Sequence, residues 1–376
     1  MQTAEYSPGL EGIVAGTTSI SNVSSERSSL VYRGYDIQDL VKASNYEEVA
    51  YLLLYGHLPT EAEFQQFCQV LKKERAIPAT LLDTFKTAPA DSHPMELLRA
   101  GVSLLALHDP DRHDNSHEAN LRKAVRLVAQ FPTIITHAYR ISRGQEVVAP
   151  DNTLTHGENF LYMLTGKKPD SYVAHVFDIS LICYADHGFN ASTFAARVTV
   201  STLSDIYSGT VAAIGALKGP LHGGANEEAM KMLMEIGSPE QAEAWVMDAL
   251  ATKKKIMGFG HREYKHGDPR AAILTGMSGE VSERLGDTRW QRTATIVEET
   301  MRREKNIIAN VDFPTSYLYY LMGQPIEIYT PIFALARVAG WTAHMIEQLD
   351  NNRLIRPKAI YEGPDHAEYV PRDQRR

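Results

Sequence analysis

The 376-residue chain is 44% hydrophobic and 22% charged, with a formal net charge of −8. That length and balance exclude general disorder and suggest two domains, or one large domain with an inserted subdomain. The acidic total argues against a nucleic-acid binder, so an anionic ligand would have to be met by a local basic cluster.

The opening MQTAEYSPGLEG has neither the basic start nor the apolar run of a signal peptide. No segment reaches the roughly 18 uncharged apolar residues of a membrane span. A cytoplasmic protein with no membrane partner is therefore expected. Cys68 and Cys183 stand far apart in apolar surroundings without metal-binding spacing, and read as buried reduced thiols. In that compartment the sequons Asn22-Val-Ser24 and Asn190-Ala-Ser192 carry no weight.

GIVAGTTSISNV and SSLVYRGYDI alternate β-branched and polar residues around Gly- and Asn-containing turns, which predicts a short hairpin or two small strands. The period then becomes helical. YEEVAYLLLYGHLP, TEAEFQQFCQVLKKE, HPMELLRAGVSLLALH and EANLRKAVRLVAQFPTIITHAYRI repeat apolar residues at that spacing, several ending at Gly or Pro. From about Asp170 to Leu217 the chain is nearly uncharged at its centre, and LICYAD and TFAARVTVSTLSDIYSGTVAAIGAL read as two helices apolar on more than one face. Such helices sit mid-domain or across a subunit interface, so a homodimer is expected. QAEAWVMDALATKKK, DTRWQRTATIVEETMRREK and PIFALARVAGWTAHMIEQLDNN complete an all-α reading with a short N-terminal β segment. No repeat of 20 to 50 residues is visible. The tail EGPDHAEYVPRDQRR is polar, and is expected to be frayed or docked on a neighbouring subunit.

Four irregular stretches interrupt the helices and place ionisable groups beside Gly or Pro: ADHGFNAST, KGPLHGGAN, KKKIMGFGHREYKHGDPRA and NVDFPTS. His222 precedes a helix start that Asn226, Glu227 and Glu228 would suit as cap and acidic first turn. The positive helix end would keep it a neutral donor for a developing negative charge. It could equally be a structural histidine bonding the turn. Gly258 and Gly260 allow close approach of a ligand or of another backbone, and His261 follows them. Lys253, Lys254, Lys255, Arg262, Lys265 and Arg270 form a basic surround suited to phosphate, although Lys253 to Lys255 also read as a solvated helix end. Neither GxGxxG nor a P-loop is present, since Glu263 breaks the first pattern and no Ser or Thr follows the lysines of TGKKPD. Asp312, two residues before Pro314, reads by default as a helix cap. Arg337, inside FALARVAGW, must either snorkel or meet an anion, for which a ligand carboxylate is a fitting bidentate partner. Arg270, Arg353 and Arg356 are weaker candidates of the same kind.

Taken together, GPLHGGAN, GFGHREYKHGDPR and NVDFP, in this order and spacing, resemble citrate synthase from YRGYDI to RPKAIYEGP. The resemblance implies a mostly α homodimer, with a large domain at 1–223 and 324–376 and a small domain at 224–323 that closes over the substrates. It implies that His222 donates to the enolate of acetyl-CoA, that Asp312 removes the methyl proton, and that His261 polarises and protonates the oxaloacetate carbonyl. His187, Arg270 and Arg337 match the oxaloacetate ligands, and Arg356 the arginine that reaches across from the partner subunit. Lys255, Gly258, Phe259, Gly260, Arg262 and Lys265 fall where the family binds coenzyme A. The roles fit the chemistry, because a C–H acid as weak as a thioester methyl needs a positioned base and a donor aimed at the new oxyanion. No metal and no permanently bound cofactor are implied. Glu263 departs from the family's usual Ile or Val, and would oppose coenzyme A phosphates unless it turned away or paired with Arg262 or Lys265.

Three rivals remain at this stage. A 2-methylcitrate synthase would use propionyl-CoA, and one methylene is worth only about 1 to 3 kcal/mol of discrimination. A metal-dependent hydrolase or lyase would be built on His187, His222 and His261, without HExxH spacing to support it. A non-catalytic acyl-CoA-binding scaffold would not need the acid, base and donor positions. Assembly beyond the dimer, to a hexamer or larger, is left open by the sequence.

Overall fold

The computed structural model describes residues 6–24, 26–264 and 267–375. Lys265, one of the expected coenzyme A contacts, lies outside the described residues. The N-terminal β segment has three strands rather than two: β1 (Ser21–Ser24), β2 (Ser29–Tyr32) and β3 (Tyr35–Asp36), paired antiparallel in that order with Asn22 opposite Val31 and Tyr32 opposite Tyr35. The added strand follows from a two-residue turn in which Arg33 and Gly34 both take positive φ, 49° and 92°. That twist matches the strands of a tight hairpin.

Helices make up the rest of the regular structure. They run as α1 (Ile37–Ala43), α2 (Tyr46–Tyr55), α3 (Glu61–Lys73), α4 (Ala79–Thr87), α5 (Pro94–His108), α6 (His117–Ser142), α7 (His156–Thr165) and α8 (Ser171–Tyr184). After these come α9 (Ala191–Val200), α10 (Ile206–Leu217), α11 (Ala225–Ile236), α12 (Pro239–Ala251), α13 (Pro269–Leu285), α14 (Arg289–Lys305), α15 (Asp312–Leu321) and α16 (Tyr329–Asp350). Local chemistry sets many of the ends. Thr60 with Glu63 and Thr155 with Glu158 form reciprocal capping boxes that satisfy N-terminal amides of α3 and α7. Gly56 and Gly166 close α2 and α7 in the left-handed region.

Three expectations need correction. The stretch from Thr193 to Leu217 is not one helix: Leu203 takes φ 67° and the Asp205 side chain accepts from Ser208 N–H at 2.9 Å, so α9 stops and α10 starts anew. Hydrophobic periodicity cannot register a single left-handed residue between two apolar helices. The cap of α11 is Gly224 rather than Asn226, which is buried in the first turn. Cys183 is buried, but Cys68 is only half-buried.

α16 forms the axis of the molecule. It is buried continuously from Tyr329 to Ile346 and packs against α2, α6, α8, α9 and α10. Such all-round burial requires an apolar helix on every face, which its sequence supplies except at Arg337 and His344. Helices α11 to α15 pack largely on one another, α12 against α14 and both α11 and α13 against α15. Beyond α16 the chain runs extended and exposed to a short 3-10 turn at Arg372–Gln374. No helix among the described residues is long and apolar enough to cross a membrane.

Candidate active site

The four irregular stretches converge where the α11–α15 helices meet α8 and α16. The segment before α15 is pinned to the glycine loop: Gly260 N–H donates to Ile308 O at 3.0 Å, Asn310 N–H to Gly258 O at 2.9 Å, and the Asn310 side chain to Gly260 O at 2.9 Å. Gly258 has φ 81°, and a Cβ there would lie 2.7 Å from Phe313 Cβ. This glycine therefore permits a close backbone approach, which ties His261 to the start of α15.

Asp312 opens α15 but does not cap it. Its carboxylate accepts from the Tyr184 hydroxyl at 2.9 Å, and the residue before the helix is Val311. Burial pushes its pKa up to about 6, against opposing pulls from the Tyr184 bond and from Arg270. A half-buried carboxylate of that kind can hold a proton or release it near neutrality.

His222 sits in the turn before α11. Its Nε2 accepts from Ser192 N–H at 3.4 Å and lies 2.8 Å from Ser192 Oγ. The backbone donor requires Nε2 to be unprotonated, so the proton belongs on Nδ1. Burial first, then the charge of Arg337, lowers its pKa to about 3. The neutral state expected from sequence is present, with burial rather than a helix end as its main cause. Trp341 Nε1 donates to Ser192 Oγ at 3.0 Å and fixes that partner in turn.

His261 is the mirror case. Its Nδ1 accepts from the backbone N–H groups of Glu263 and Tyr264 at 3.0 and 3.1 Å, so Nε2 carries the proton. Burial, then Arg270, lowers its pKa to about 4. His187 lies beside it, ring centroids 5.1 Å apart, with Nε2 3.2 Å from the Tyr264 hydroxyl. Burial holds His187 well below the ordinary histidine range, and Arg270 adds to this. A cavity of about 220 Å³ borders His261, Tyr264, Asp268 and Asn306.

Two guanidinium groups supply positive charge. Arg270 is buried and held bidentately by Asp268, at 3.0 and 2.8 Å. Burial opposes its charge, but Asp268 outweighs that and keeps its pKa raised. Arg337 is 1% exposed, and its Nε donates to Tyr184 O at 2.6 Å. Its Nη1 and Nη2 find no partner among the described residues. Burial lowers its pKa to about 10, so it stays charged at neutrality. Two unsatisfied N–H groups on a buried cation form a receptor for a carboxylate.

Arg356 lies apart from this group, exposed in the extended segment after α16. Arg262 is exposed and donates to Gly9 O at 3.2 Å, and Lys255 is exposed. Lys254 pairs with Glu235 at 2.6 Å and lies over the Trp245 ring, the solvated role the sequence allowed for it. The Glu263 carboxylate is exposed and forms no ion pair among the described residues. Among those residues no group of three or more His, Cys, Asp or Glu side chains is arranged to hold a metal ion. Sequence reasoning missed Tyr184, Ser192, Asp268 and Tyr264. Asp268 carried a signal, an Asp before Pro at a helix start, whereas a tyrosine in an apolar helix and a serine in a turn carry none.

The family described as citrate synthase, C-terminal domain, matches residues 9–358. The chain is 48% identical over 368 residues to citrate synthase 2 of Bacillus subtilis, covering 98% of each. It is 46% identical to the 2-methylcitrate synthase of Mycobacterium tuberculosis, covering 94% of this chain and 90% of that one. Among solved structures, the ternary complex of carboxymethyl coenzyme A and oxaloacetate with the citrate synthase of Thermoplasma acidophilum superposes with a TM-score of 0.94 at 35% identity, covering 99% of this chain and 100% of that one.

Proposed function

The chain belongs to the citrate synthase family, and on that premise we propose that it condenses acetyl-CoA with oxaloacetate and water to give citrate and coenzyme A. Asp312 takes a proton from the thioester methyl while His222 Nδ1–H donates to the thioester oxygen, where enolate charge develops. The enolate carbon attacks the ketone carbon of oxaloacetate, whose oxygen receives the proton of His261 Nε2–H. Water then cleaves the citryl thioester and coenzyme A leaves as the thiol. Arg337, Arg270 and His187 hold the oxaloacetate carboxylates.

The single observation that carries this reading is the pairing of a proton acceptor with two neutral N–H donors beside the buried cations Arg270 and Arg337. Asp312 is poised near pKa 6, and two neutral histidines have their tautomers set by backbone donors so that each offers one N–H. Binding alone would not call for that arrangement. The solved ternary complex with carboxymethyl coenzyme A and oxaloacetate supports the same substrate pair.

We further assign residues 224–323 to a small domain that closes on 1–223 and 324–376, and Arg356 to the site of the partner subunit in a cytoplasmic homodimer. Coenzyme A is assigned to the loop of Lys255, Gly258, Phe259, Gly260, Arg262 and Lys265. The similarity to a 2-methylcitrate synthase favours propionyl-CoA as the alternative acyl donor. Thiol release measured with oxaloacetate and either acyl-CoA separates the two: faster turnover of acetyl-CoA supports the primary reading, faster turnover of propionyl-CoA the second, and no release with either overturns both.

A further inference from the structure

Directly behind the substrate pocket, Asp186 is fully buried in the turn between α8 and α9. Its Oδ2 accepts from Gly188 N–H at 3.0 Å, from the hydroxyl of Ser21 on β1, and meets His344 Nε2 of α16 at 3.2 Å. The tautomer of His344 follows from its other nitrogen. Nδ1 lies 3.2 Å from Arg197 Nη1, which can only donate, so the ring proton is on Nε2 and points at Asp186. Arg197 is itself fixed by Glu347 at 2.7 Å and by the Phe189 ring, 4.4 Å away. α16 can approach this closely because residue 340 is glycine: a Cβ there would fall 2.4 Å from Asp186 Oδ1 and from Ala185 O.

The short segment that Asp186 anchors carries three contacts of the proposed site. The Tyr184 hydroxyl holds Asp312, the Tyr184 carbonyl holds Arg337 Nε, and His187 faces His261. Asp186 touches none of the reacting groups itself. We propose that Asp186 and His344 form a buried carboxylate–histidine pair that positions Arg337 and His187 to receive the dicarboxylate substrate. Support for the ionised carboxylate comes from its pKa of about 2, since burial is outweighed by His344, Arg337 and Ser21. The inference rests on the reading of this pocket as the oxaloacetate site.

The test compares the full-length wild type with Asp186→Asn, His344→Leu, His344→Gln and Ser21→Ala, recording kcat, KM for each substrate and melting temperature. A positioning role predicts that Asp186→Asn and His344→Leu raise KM for oxaloacetate at least tenfold, with KM for the acyl-CoA changing less than threefold. Ser21→Ala, which removes one of three donors, gives a smaller rise in the same parameter. His344→Gln, whose amide can still donate to Asp186, restores most of the affinity. If KM for oxaloacetate is unchanged in Asp186→Asn or His344→Leu, or if the only effect is a lower melting temperature with fewer active molecules, the pair is structural and the proposal fails. Should Asp186→Asn not fold, Ser21→Ala and the two His344 variants decide the matter alone. Absence of thiol release from the wild type would instead overturn the functional reading on which this rests.

Discussion

At Asp312, the proposed base, one physical quantity should govern both activity and stability. A base must be ionised to work, so a pKa pushed up to about 6 predicts that kcat/KM falls about tenfold per pH unit below that value. Asp312→Asn keeps an acceptor for Tyr184 but cannot take a proton, and should lose on the order of 10² to 10⁴ in kcat while oxaloacetate still binds. A pH–rate profile and a binding titration check the two statements. The stability effect has the opposite sign. Because the folded state holds this proton more tightly than the unfolded chain, stability is fully present below the unfolded value and is lost as pH rises through about 6. At pH 7 the asparagine variant should therefore be more stable by on the order of 1 to 3 kcal/mol, seen as a higher denaturation midpoint. A variant less stable than wild type would mean that the buried charge is fully compensated. From the sequence, Asp312 could equally have been a cap, since its Tyr184 partner lies 128 positions away.

Between elements, glycine decides how closely the segments of the proposed site approach. Gly258→Ala should cost about 1 to 3 kcal/mol, both because φ 81° is unfavourable for alanine and because the new Cβ meets Phe313. The same clash pushes against the first turn of α15, so kcat should fall along with stability. Chemical denaturation and turnover on one preparation test this, and a stable variant with unchanged kcat would contradict it. The elements themselves were largely legible. Capped and periodic segments such as α3 and α5 were read close to their observed bounds, because capping chemistry and hydrophobic spacing act within a few residues. The split between α9 and α10 and the third strand were not, since each depends on single residues with positive φ.

For the whole molecule, the exposed position of Arg356 turns the proposed dimer into a measurable statement. If each site borrows this arginine from the neighbouring subunit, Asp312→Asn and Arg356→Ala should each be nearly inactive as pure proteins. Mixing them under conditions that exchange subunits should restore activity, because one site of each mixed dimer would carry both wild-type groups. No recovery despite subunit exchange, confirmed by native mass measurement, would place Arg356 outside the partner's site.

The sequence alone determined the helical class, most helix positions and the residue types of the proposed site, since these rest on periodicity, capping and a characteristic order of glycine, histidine and aspartate within short stretches. Only the tertiary structure decided which proton each histidine carries, why Asp312 is poised near neutrality, and that Arg337 keeps two buried N–H groups unpaired. Those properties come from burial, from partners 30 to 153 positions distant, or from backbone geometry a turn away. No local pattern encodes a desolvation energy or the direction of a neighbour's N–H.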